Sequence, residues 1–474
     1  METRLLINGQ WQEGQGKSLP VHNPYDWSII DEVKEAESGE IEDAIAGALI
    51  GAKLMAGLPA YKRSALLDRA AELIEQDKED LAGLIARESG KTIRYARVEV
   101  NRAVSIFKLA AEESKRIYGE VIPMDVAAQS KGRFAFTYRY PLGVILAISP
   151  FNFPLNLVAH KVAPALAAGN AVIIKPASVT PLSAIRLGQL LMDAGAPIGS
   201  VSIITGSGGE AGQALVKDNR PAMVTFTGSP EVGQLIRNTA GMKRVTLEMG
   251  ANCALIIDKG MDLSRVYPRC VMGAFYNSGQ VCISVQNIYV HNSIKEEFVA
   301  GLLAATEKQV VGDQMLEETD VGPMISEAEA KRAESWVNQA VAGGGRILTG
   351  GKREFTLFYP TIIDEPPLDS NVVCKEVFAP VVSVIGFDQL DQALDLVNSS
   401  PYGLQAGIFT NDLAAAFKAF QTLQVGSVMI NDVPTFRADH MPYGGIKKSG
   451  QGREGVRYAI EEMTETKLVV WNLG

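Results

Sequence analysis

The sequence predicts an α/β protein with a doubly wound parallel sheet. From Gly143 onwards, short continuous apolar segments of strand length alternate with segments whose apolar residues recur every three or four positions. Continuous apolar strands are typical of parallel sheets covered by helices on both faces. Two consecutive strand-to-helix turns are also rich in glycine, which is typical of a sheet that binds a nucleotide.

The elements follow in a regular order. After a short β-like start, apolar spacing predicts helices over 41–54, 62–76 and 78–88. The alternating region then predicts strands over 143–149, 171–175, 201–205, 224–227 and 245–247, with helices over 154–169 and 181–194. A second αβ series runs from about Asn252 to Asn431, with strands over 285–290, 381–385 and 406–409.

Two β-rich segments lie outside these series, at 121–140 and 467–471. Stray strands of this kind add edges to a partner's sheet. Alternatively, they form local hairpins that cover the protein's own sheet, and the pattern alone favours neither interpretation.

Composition excludes several classes of protein. With 474 residues the chain is expected to form two or three domains. The net charge of −9 is spread along the chain without a basic block, so nucleic-acid binding is not expected. Neither a signal peptide nor a membrane-spanning segment is indicated. The four cysteines form no C-x-x-C pair, which favours a reducing cytoplasm and argues against a metal site.

Cys282 is the strongest candidate for chemistry, because it stands in a small, polar, glycine-containing segment, Tyr-Asn-Ser-Gly-Gln-Val-Cys at 276–282. A thiolate there can add to an aldehyde, and the adduct can lose hydride to a nicotinamide to become a thioester. Glu248 ends an apolar strand and is a candidate general base, or else a helix cap or salt-bridge partner. Asn152 follows a strand and is a candidate oxyanion donor, or else an N-cap.

The two glycine-rich turns are candidates for pyrophosphate binding. The first spans 206–212 and includes Gly208, and the second contains Gly228, Ser229 and Gly233. Lys175 ends a strand at the same predicted edge, where it either binds a ribose or is a solvated lysine.

Together these segments resemble the aldehyde dehydrogenase family over nearly the whole chain. Seven motifs occur in the family's order: Pro-Phe-Asn-Phe-Pro at 150–154, Lys-Pro-Ala-Ser at 175–178, Phe-Thr-Gly-Ser at 226–229, Leu-Glu-Met-Gly at 247–250, Gly-Gln-Val-Cys at 279–282, Glu-Val-Phe-Ala-Pro at 376–380 and Pro-Tyr-Gly-Gly-Ile-Lys at 442–447. Segments 436–445 and 452–460 are most similar to the branch of lactaldehyde, non-phosphorylating glyceraldehyde-3-phosphate and phosphonoacetaldehyde dehydrogenases.

The resemblance implies a role for each matching residue. Cys282 is the expected nucleophile, Glu248 the base that activates water, and Asn152, with the backbone N–H of Cys282, the oxyanion hole. The expected cofactor-binding residues are Lys175, Ser178, Gly208, Gly228, Ser229, Gly233, Glu376 and Phe378. Many members that prefer NAD have a glutamate at position 178, so Ser178 implies that NADP is tolerated beside NAD. No metal is expected.

The family fold further implies three parts and an assembly. A Rossmann-type cofactor domain is expected over 1–120 and 141–248, an α/β catalytic domain over 249–440, and a β oligomerisation extension over 121–140 and 461–474. This favours assembly into a homodimer or homotetramer.

Three positions that match the family's substrate tunnel are polar: Asn156, His160 and Arg437. An alkyl aldehyde would leave these polar side chains without hydrogen-bond partners, which costs free energy. They therefore favour a short polar or anionic substrate that resembles lactaldehyde, glycolaldehyde or a semialdehyde. Val281 places no charge beside the thiol, so charge selectivity is expected from Arg437 and His160. Alternatively, Arg437 forms a salt bridge with Asp432 or Asp439.

Two other functions remain open. In a CoA-acylating dehydrogenase, CoA would replace water, although the presence of Glu248 argues against it. A catalytically silent binding member of the family would not be expected to contain Cys282, Glu248 and Asn152 together.

Overall fold

The computed structural model describes residues 2–474. The helices are α1 (Ser38–Gly57), α2 (Ala60–Gln76), α3 (Lys78–Ser89), α4 (Ile93–Glu113), α5 (Asn156–Ala168), α6 (Leu182–Asp193), α7 (Gln213–Lys217), α8 (Pro230–Thr239), α9 (Leu263–Phe275), α10 (Lys295–Thr306), α11 (Glu327–Ala342), α12 (Asn371–Cys374), α13 (Leu390–Asn398), α14 (Leu413–Thr422) and α15 (Val456–Glu462).

The strands are β1 (Leu5–Ile7), β2 (Gln10–Gln12), β3 (Ser18–His22), β4 (Ile29–Lys34), β5 (Val121–Ile122), β6 (Arg133–Pro141), β7 (Val144–Ile148), β8 (Ala171–Lys175), β9 (Val201–Ile203), β10 (Met223–Gly228), β11 (Arg244–Met249), β12 (Ala254–Ile257), β13 (Asn287–His291), β14 (Arg346–Thr349), β15 (Arg353–Glu354), β16 (Leu357–Phe358), β17 (Thr361–Asp364), β18 (Val381–Phe387), β19 (Gln405–Phe409), β20 (Ser427–Ile430), β21 (Gly450–Gln451) and β22 (Thr464–Asn472). The predicted alternation of strands and helices is confirmed.

Two large sheets form the framework. The first has the order β2-β1-β9-β8-β7-β10-β11-β21, and its central strands β9, β8, β7, β10 and β11 run parallel. The second has the order β14-β17-β18-β13-β12-β19-β20 and is parallel from β17 to β20. Buried apolar residues of the strands and the flanking helices form separate cores around each sheet. This is the doubly wound α/β architecture that the apolar strands predict.

The two stray β segments pair with each other. In the separate sheet β22-β6-β5, β22 lies antiparallel to β6 over nine residue pairs, from Thr464 opposite Pro141 to Asn472 opposite Arg133. No strand formed by residues 2–474 pairs with the far side of β22, which is therefore a free edge in the described chain. Strand β21 instead joins the first sheet beside β11, so the segment before the tail belongs structurally to the first half of the chain. The roles of the three predicted parts stay predictions.

The helices of residues 2–474 include no single one with the length and apolar character needed to cross a membrane. Helices α1 and α2 meet such criteria only as a pair, and they are bent by 115° at their break.

The carboxyl ends of adjacent parallel strands determine where the candidate residues lie. Strand β7 ends just before Asn152, β8 ends with Lys175, β10 ends at Gly228, and β11 contains Glu248. Because β8, β7, β10 and β11 are neighbours in one parallel sheet, these residues lie along one edge.

Candidate active site

Residues from both halves of the chain line one cavity of ≈ 960 Å³. The first half contributes the turn after β7, the turn after β10 and the end of β11. The second half contributes the segment around Cys282, the segment around Glu376, and a C-terminal group of polar residues. The lining includes Asn152, Gly228, Ser229, Glu248, Cys282, Glu376, Phe378, Arg437, Tyr443 and Glu454. The structure therefore brings all three predicted catalytic residues to one cavity.

Cys282 follows a strained turn. Asn277 and Ser278 both adopt left-handed backbone conformations, with φ of 51° and 56°, and Gly279 follows with φ of 68°. Side chains other than glycine rarely occupy this region, and such strain is typical of functional turns. A Cβ atom on residue 279 would lie 2.1 Å from the carbonyl oxygen of Ala379, so only glycine fits there. The turn ends helix α9 abruptly and presents Cys282 on the cavity wall.

The Cys282 thiol contacts a hydroxyl that the sequence interpretation did not assign. Its Sγ lies 2.9 Å from the hydroxyl of Tyr443. Desolvation raises the pKa of the thiol to about 12, while the Tyr443 hydrogen bond and the charge of Arg437 act in the opposite direction. A thiol with so high a pKa needs a base or a further stabilising group before it can act as a nucleophile.

Glu248 is a buried carboxylate without a partner. Neither of its oxygens accepts a hydrogen bond from a described residue. Burial, and then the negative charge of Glu454, raise the pKa of Glu248 well above its usual value, and Arg437 and Lys161 oppose this shift only partly. An unpartnered carboxylate with a raised pKa, facing a cavity, has the properties of a general base.

Asn152 is buried, and its side chain lies against the backbone before Cys282. Its Nδ2 donates a hydrogen bond to the carbonyl of Gln280 at 2.8 Å, and its Oδ1 has no partner among the described residues. One N–H of the amide is therefore engaged, and the second remains available to an oxyanion.

A buried ion pair anchors the segment that carries Asn152. Oε1 of Glu99 accepts the backbone N–H groups of Leu155 and Asn156, each at 3.0 Å, at the start of α5. Glu99 also pairs with Lys91, whose ammonium lies 3.7 Å from the centre of the Phe153 ring. These contacts satisfy the N–H groups that begin the helix and hold the preceding turn in place.

The turn after β10 lines the cavity beside the first turn of α8, through Gly228 and Ser229. Ser229 caps α8 by accepting the N–H of Val232 at 3.3 Å. A Cβ on Gly233 would lie 2.2 Å from Sδ of Met249, so glycine lets α8 pack closely on β11. Free N–H groups at a helix start bind anions. In the other turn, a Cβ on Gly208 would meet nothing within 4 Å, so this glycine faces open space.

Lys175 and Ser178 lie beside the cavity without lining it. The Lys175 ammonium donates to the carbonyl of Pro176 at 3.0 Å, and burial lowers its pKa to about 8. Ser178 donates to the carbonyl of Gly206 at 2.8 Å. Their neighbours Ala177 and Val179 do line the cavity. A buried ammonium with only one carbonyl acceptor retains N–H groups for ribose hydroxyls.

Glu376 and Phe378 line the cavity from the second half. Oε1 of Glu376 accepts the N–H of Ala251 at 3.2 Å, and burial raises the pKa of this carboxyl group to about 8. A Cβ on Gly250 would lie 1.9 Å from Oε2 of Glu376, so the carboxyl group packs directly on that glycine. Phe378 has a φ of 51° and packs edge-on against Phe151. Glu376 and Phe378 thus share the cavity with Gly228 and Ser229, whereas Gly208 and Gly233 are not among its lining residues, and the cofactor-binding roles stay predictions.

Of the three predicted substrate residues, only Arg437 lines the cavity. Its Nη2 forms a salt bridge with Oε2 of Glu454 at 2.9 Å. The alternative in which Arg437 forms a salt bridge is therefore met, but not with the partners named for it, because Asp432 pairs with Arg269 and Asp439 pairs with Arg102. The buried Nε of Arg437 has no partner among the described residues, so the guanidinium keeps a free donor.

His160 and Asn156 are not among the residues that line this cavity. Nε2 of His160 lies 2.9 Å from Oδ1 of Asp439, and burial, followed by the charge of Arg437, lowers the pKa of the imidazole to about 4. Burial therefore disfavours the charged form of His160, and its contribution to substrate selectivity stays a prediction. Both amide atoms of Asn156 are buried without a partner among the described residues.

Three further residues belong to the site and were missed. Tyr443 lies in the recognised segment 442–447, yet no role was assigned to its hydroxyl. Glu454 and Lys161 form a buried ion pair at 2.8 Å beside Glu248. A lysine within the apolar face of α5 was the one signal in the sequence, since a fully buried lysine requires a partner.

Comparisons with known proteins agree with this geometry. Residues 11–469 match the model of the aldehyde dehydrogenase family. The 3-sulfolactaldehyde dehydrogenase of Priestia aryabhattai is 46% identical over 469 residues, which cover 99% of this chain and 98% of that protein.

Two solved structures are also closely similar. Aldehyde dehydrogenase 21 from Physcomitrella patens, in complex with the reaction product succinate, has a TM-score of 0.97 at 42% identity, covering 99% of this chain and 98% of that one. The glyceraldehyde-3-phosphate dehydrogenase GapN of Methanocaldococcus jannaschii, complexed with NADP, has a TM-score of 0.93 at 41% identity, covering 96% and 99%. The predicted branch is confirmed, and the chain belongs to the aldehyde dehydrogenase family of NAD(P)-dependent oxidoreductases.

Proposed function

We propose that the protein oxidises a short polar or anionic aldehyde to its carboxylic acid, with Cys282 as nucleophile, Glu248 as base and Asn152 as oxyanion donor. The observation that carries the proposal is that these three residues line one cavity together with Arg437 and with Gly228 and Ser229 of the turn after β10.

Cys282 begins the reaction. Its proton passes to Glu248, directly or through water, since this carboxylate is unpartnered and its pKa is raised. The sulfur then forms a bond to the aldehyde carbon, and the carbonyl oxygen becomes an oxyanion that the free N–H of Asn152 stabilises. The product of this step is a thiohemiacetal.

A bound NAD or NADP would supply the hydride acceptor for the former aldehyde carbon. Glu376 and Lys175 would bind its riboses, and Gly228, Ser229 and Gly233 would accommodate its pyrophosphate. Hydride loss converts the thiohemiacetal to a thioester. Glu248 first releases to solvent the proton that it took from Cys282, and it then takes a proton from water as the oxygen of that water attacks the thioester carbon. The C–S bond breaks, the carboxylic acid leaves, and the Cys282 thiolate takes back the proton held by Glu248.

Arg437 supports a polar or anionic substrate. Its Nε is buried beside the cavity without a partner, and an alkyl aldehyde would leave it unsatisfied. The similar proteins named for 3-sulfolactaldehyde, and the one solved with succinate, handle anionic molecules. Val281 adds no charge beside Cys282, so one guanidinium fits a hydroxyaldehyde or a monoanionic aldehyde better than a dianionic phosphate.

Cofactor choice depends on Ser178. Its hydroxyl is already bonded to the Gly206 carbonyl, and it presents no carboxylate to repel a 2′-phosphate. We therefore propose that the enzyme accepts both NAD and NADP.

A panel of kcat/KM values with both cofactors tests this function. It compares lactaldehyde, glycolaldehyde, succinic semialdehyde, 3-sulfolactaldehyde, glyceraldehyde 3-phosphate and propanal. The expected result is at least about a tenfold preference for a polar or monoanionic aldehyde over propanal, the size of one charge-assisted hydrogen bond. Equal values for propanal and the polar aldehydes would reject the substrate assignment.

CoA acylation is the second candidate, and the free, buried carboxylate of Glu248 argues against it. Formation of the free acid without CoA separates the two, and no turnover with any aldehyde would indicate a silent member of the family.

We also propose that the chain assembles as a homodimer or homotetramer in the cytoplasm. The free edge of β22 carries exposed Leu468, Val470 and Trp471. Exposed Ile430 on the edge strand β20 of the second sheet offers a complementary edge in another copy. All four cysteines are free, which suits a reducing compartment.

A further inference from the structure

The hydroxyl group of Tyr443 contacts the sulfur of the proposed nucleophile, Cys282. Tyr443 is fully buried, and its hydroxyl lies 2.9 Å from Sγ of Cys282. In the described part of the chain, no other side chain makes a hydrogen bond to this sulfur. The hydroxyl therefore touches the atom that must become the nucleophile.

Two backbone hydrogen bonds with Glu454 fix the position of the Tyr443 backbone. Its N–H donates to the carbonyl of Glu454 at 3.1 Å, and the N–H of Glu454 donates back to the carbonyl of Tyr443 at 2.7 Å. This isolated antiparallel bridge determines where the phenol ring enters the cavity. The hydroxyl is consequently positioned by backbone geometry rather than by a flexible loop.

Arg437 holds the ring from its face. Its guanidinium carbon lies 3.7 Å from the centre of the Tyr443 ring, and Glu454 fixes the guanidinium through the 2.9 Å salt bridge. A cation over an aromatic face attracts electron density from the ring and makes the phenol O–H a stronger donor. The result is a cluster of three residues in mutual contact, Tyr443, Arg437 and Glu454, in which the Tyr443 hydroxyl group contacts Cys282.

We propose that Tyr443 is a further catalytic residue, whose hydroxyl donates a hydrogen bond to the Cys282 thiolate and keeps it available for attack. Arg437 and Glu454 are positioning residues for this hydroxyl. The inference rests on the proposed function, because it requires Cys282 to be the nucleophile. Tyr443 keeps its own proton throughout, and the proton of the thiol still leaves to Glu248.

A hydrogen bond from Tyr443 would offset the effect of burial, which disfavours the ionised form of Cys282. Desolvation by the surrounding protein opposes ionisation of Cys282, and burial raises the pKa of Tyr443 as well, so the phenol stays a donor. Hydrogen bonds to an ionised acceptor are about twice as strong as neutral ones. The bond therefore favours the thiolate over the thiol.

Tyr443→Phe is the direct test, because it removes only the hydroxyl and retains the ring under Arg437. The rate of Cys282 alkylation by iodoacetamide is measured against pH without substrate, and Cys282→Ala gives the background from the other three cysteines. We expect the apparent thiol pKa to rise by about one unit and kcat/KM to fall about tenfold at neutral pH. The dissociation constant for the cofactor should not change.

A matched control is Tyr267→Phe. Tyr267 also donates one hydrogen bond, to the carbonyl of Glu297 at 3.2 Å, but far from the cavity. This variant should keep the wild-type alkylation profile. If Tyr443→Phe also keeps that profile while Cys282→Ala is inactive, the role of Tyr443 is rejected and the proposed function stands. If Cys282→Ala still oxidises aldehydes, the proposed function itself fails.

Discussion

Lys161 lies 2.8 Å from Oε1 of Glu454, and both side chains are buried from solvent. Glu454 also pairs with Arg437, so one carboxylate balances two buried cations. Burial would raise the pKa of Glu454, but the charges of Lys161 and Arg437 lower it well below the usual value. Glu454 therefore stays ionised, and its negative charge raises the pKa of Glu248.

Glu454→Gln should lower both stability and the pKa of the base. Loss of one member of a buried ion pair costs about 3–5 kcal/mol, which urea unfolding measures. Glu248 would lose a neighbouring negative charge, so the acid limb of the pH profile for thioester hydrolysis should move to lower pH. An acid limb that stays in place would contradict the proposed coupling between the two carboxylates.

Acidification of the wild-type enzyme should reduce thioester hydrolysis as the pH falls through the raised pKa of Glu248. A base acts only when it is ionised, and burial raises the pKa, so activity is lost at a higher pH than for an exposed glutamate. Steady-state rates across pH, with a substrate that has no ionisable group, measure this limb.

Glu248→Gln should separate the two halves of the reaction. Cofactor reduction should still reach a burst of about one equivalent per site, because attack and hydride transfer precede the water step. The burst should be slower than in the wild type, because glutamine cannot accept the Cys282 proton. Turnover should then fall by about 10²–10⁴-fold, the usual contribution of a general base. Stopped-flow absorbance of the reduced cofactor measures both phases, and an undiminished steady-state rate would exclude Glu248 as the base.

Cys282→Ala should abolish aldehyde oxidation and leave the cofactor dissociation constant near the wild-type value. The thiol supplies the covalent bond, whereas the residues proposed to bind the cofactor lie on other segments. Cys374→Ala is a suitable control, because that cysteine is free, partly exposed and does not line the cavity. Substantial residual turnover in Cys282→Ala would remove this residue as the nucleophile.

Arg437→Leu should raise KM for an anionic aldehyde about tenfold or more relative to propanal, since a charge-assisted hydrogen bond is lost with only one of them. Arg437 also contacts Tyr443 and Glu454, so both substrates should share a general loss of kcat. The ratio of the two KM changes isolates the contact with substrate. Equal KM changes would reject anion binding by Arg437.

Replacing both Leu468 and Val470 with lysine should reduce the assembled mass in sedimentation. These exposed side chains lie on β22, whose outer edge is free in this chain, and added lysines oppose pairing between edges. Val121→Lys is the control, because Val121 is exposed on β5 at the opposite edge of the same sheet. An unchanged mass in the double variant would reject assembly through β22.

Much of the fold was predictable because buried parallel strands produce a local pattern. The segment 171–175 was predicted as a strand and is β8, and the helix predicted over 154–169 is α5, which spans Asn156–Ala168 with Gly169 as its C-cap. The local pattern did not predict the pairing of β22 with β6, because more than 300 residues separate the two strands, and only the family resemblance placed both segments in one extension.

The sequence by itself determined the αβ order, the family, and the set comprising Cys282, Glu248 and Asn152, since each of these residues lies in a local motif with its own strand or turn. Only the tertiary structure decided how the charges pair. It directed Arg437 to Glu454 rather than to nearby aspartates, buried His160 against Asp439, and placed Tyr443 on the thiol. The physical reason is that burial and the distance between charges depend on which segments meet in space, and these quantities leave no periodic trace along the chain.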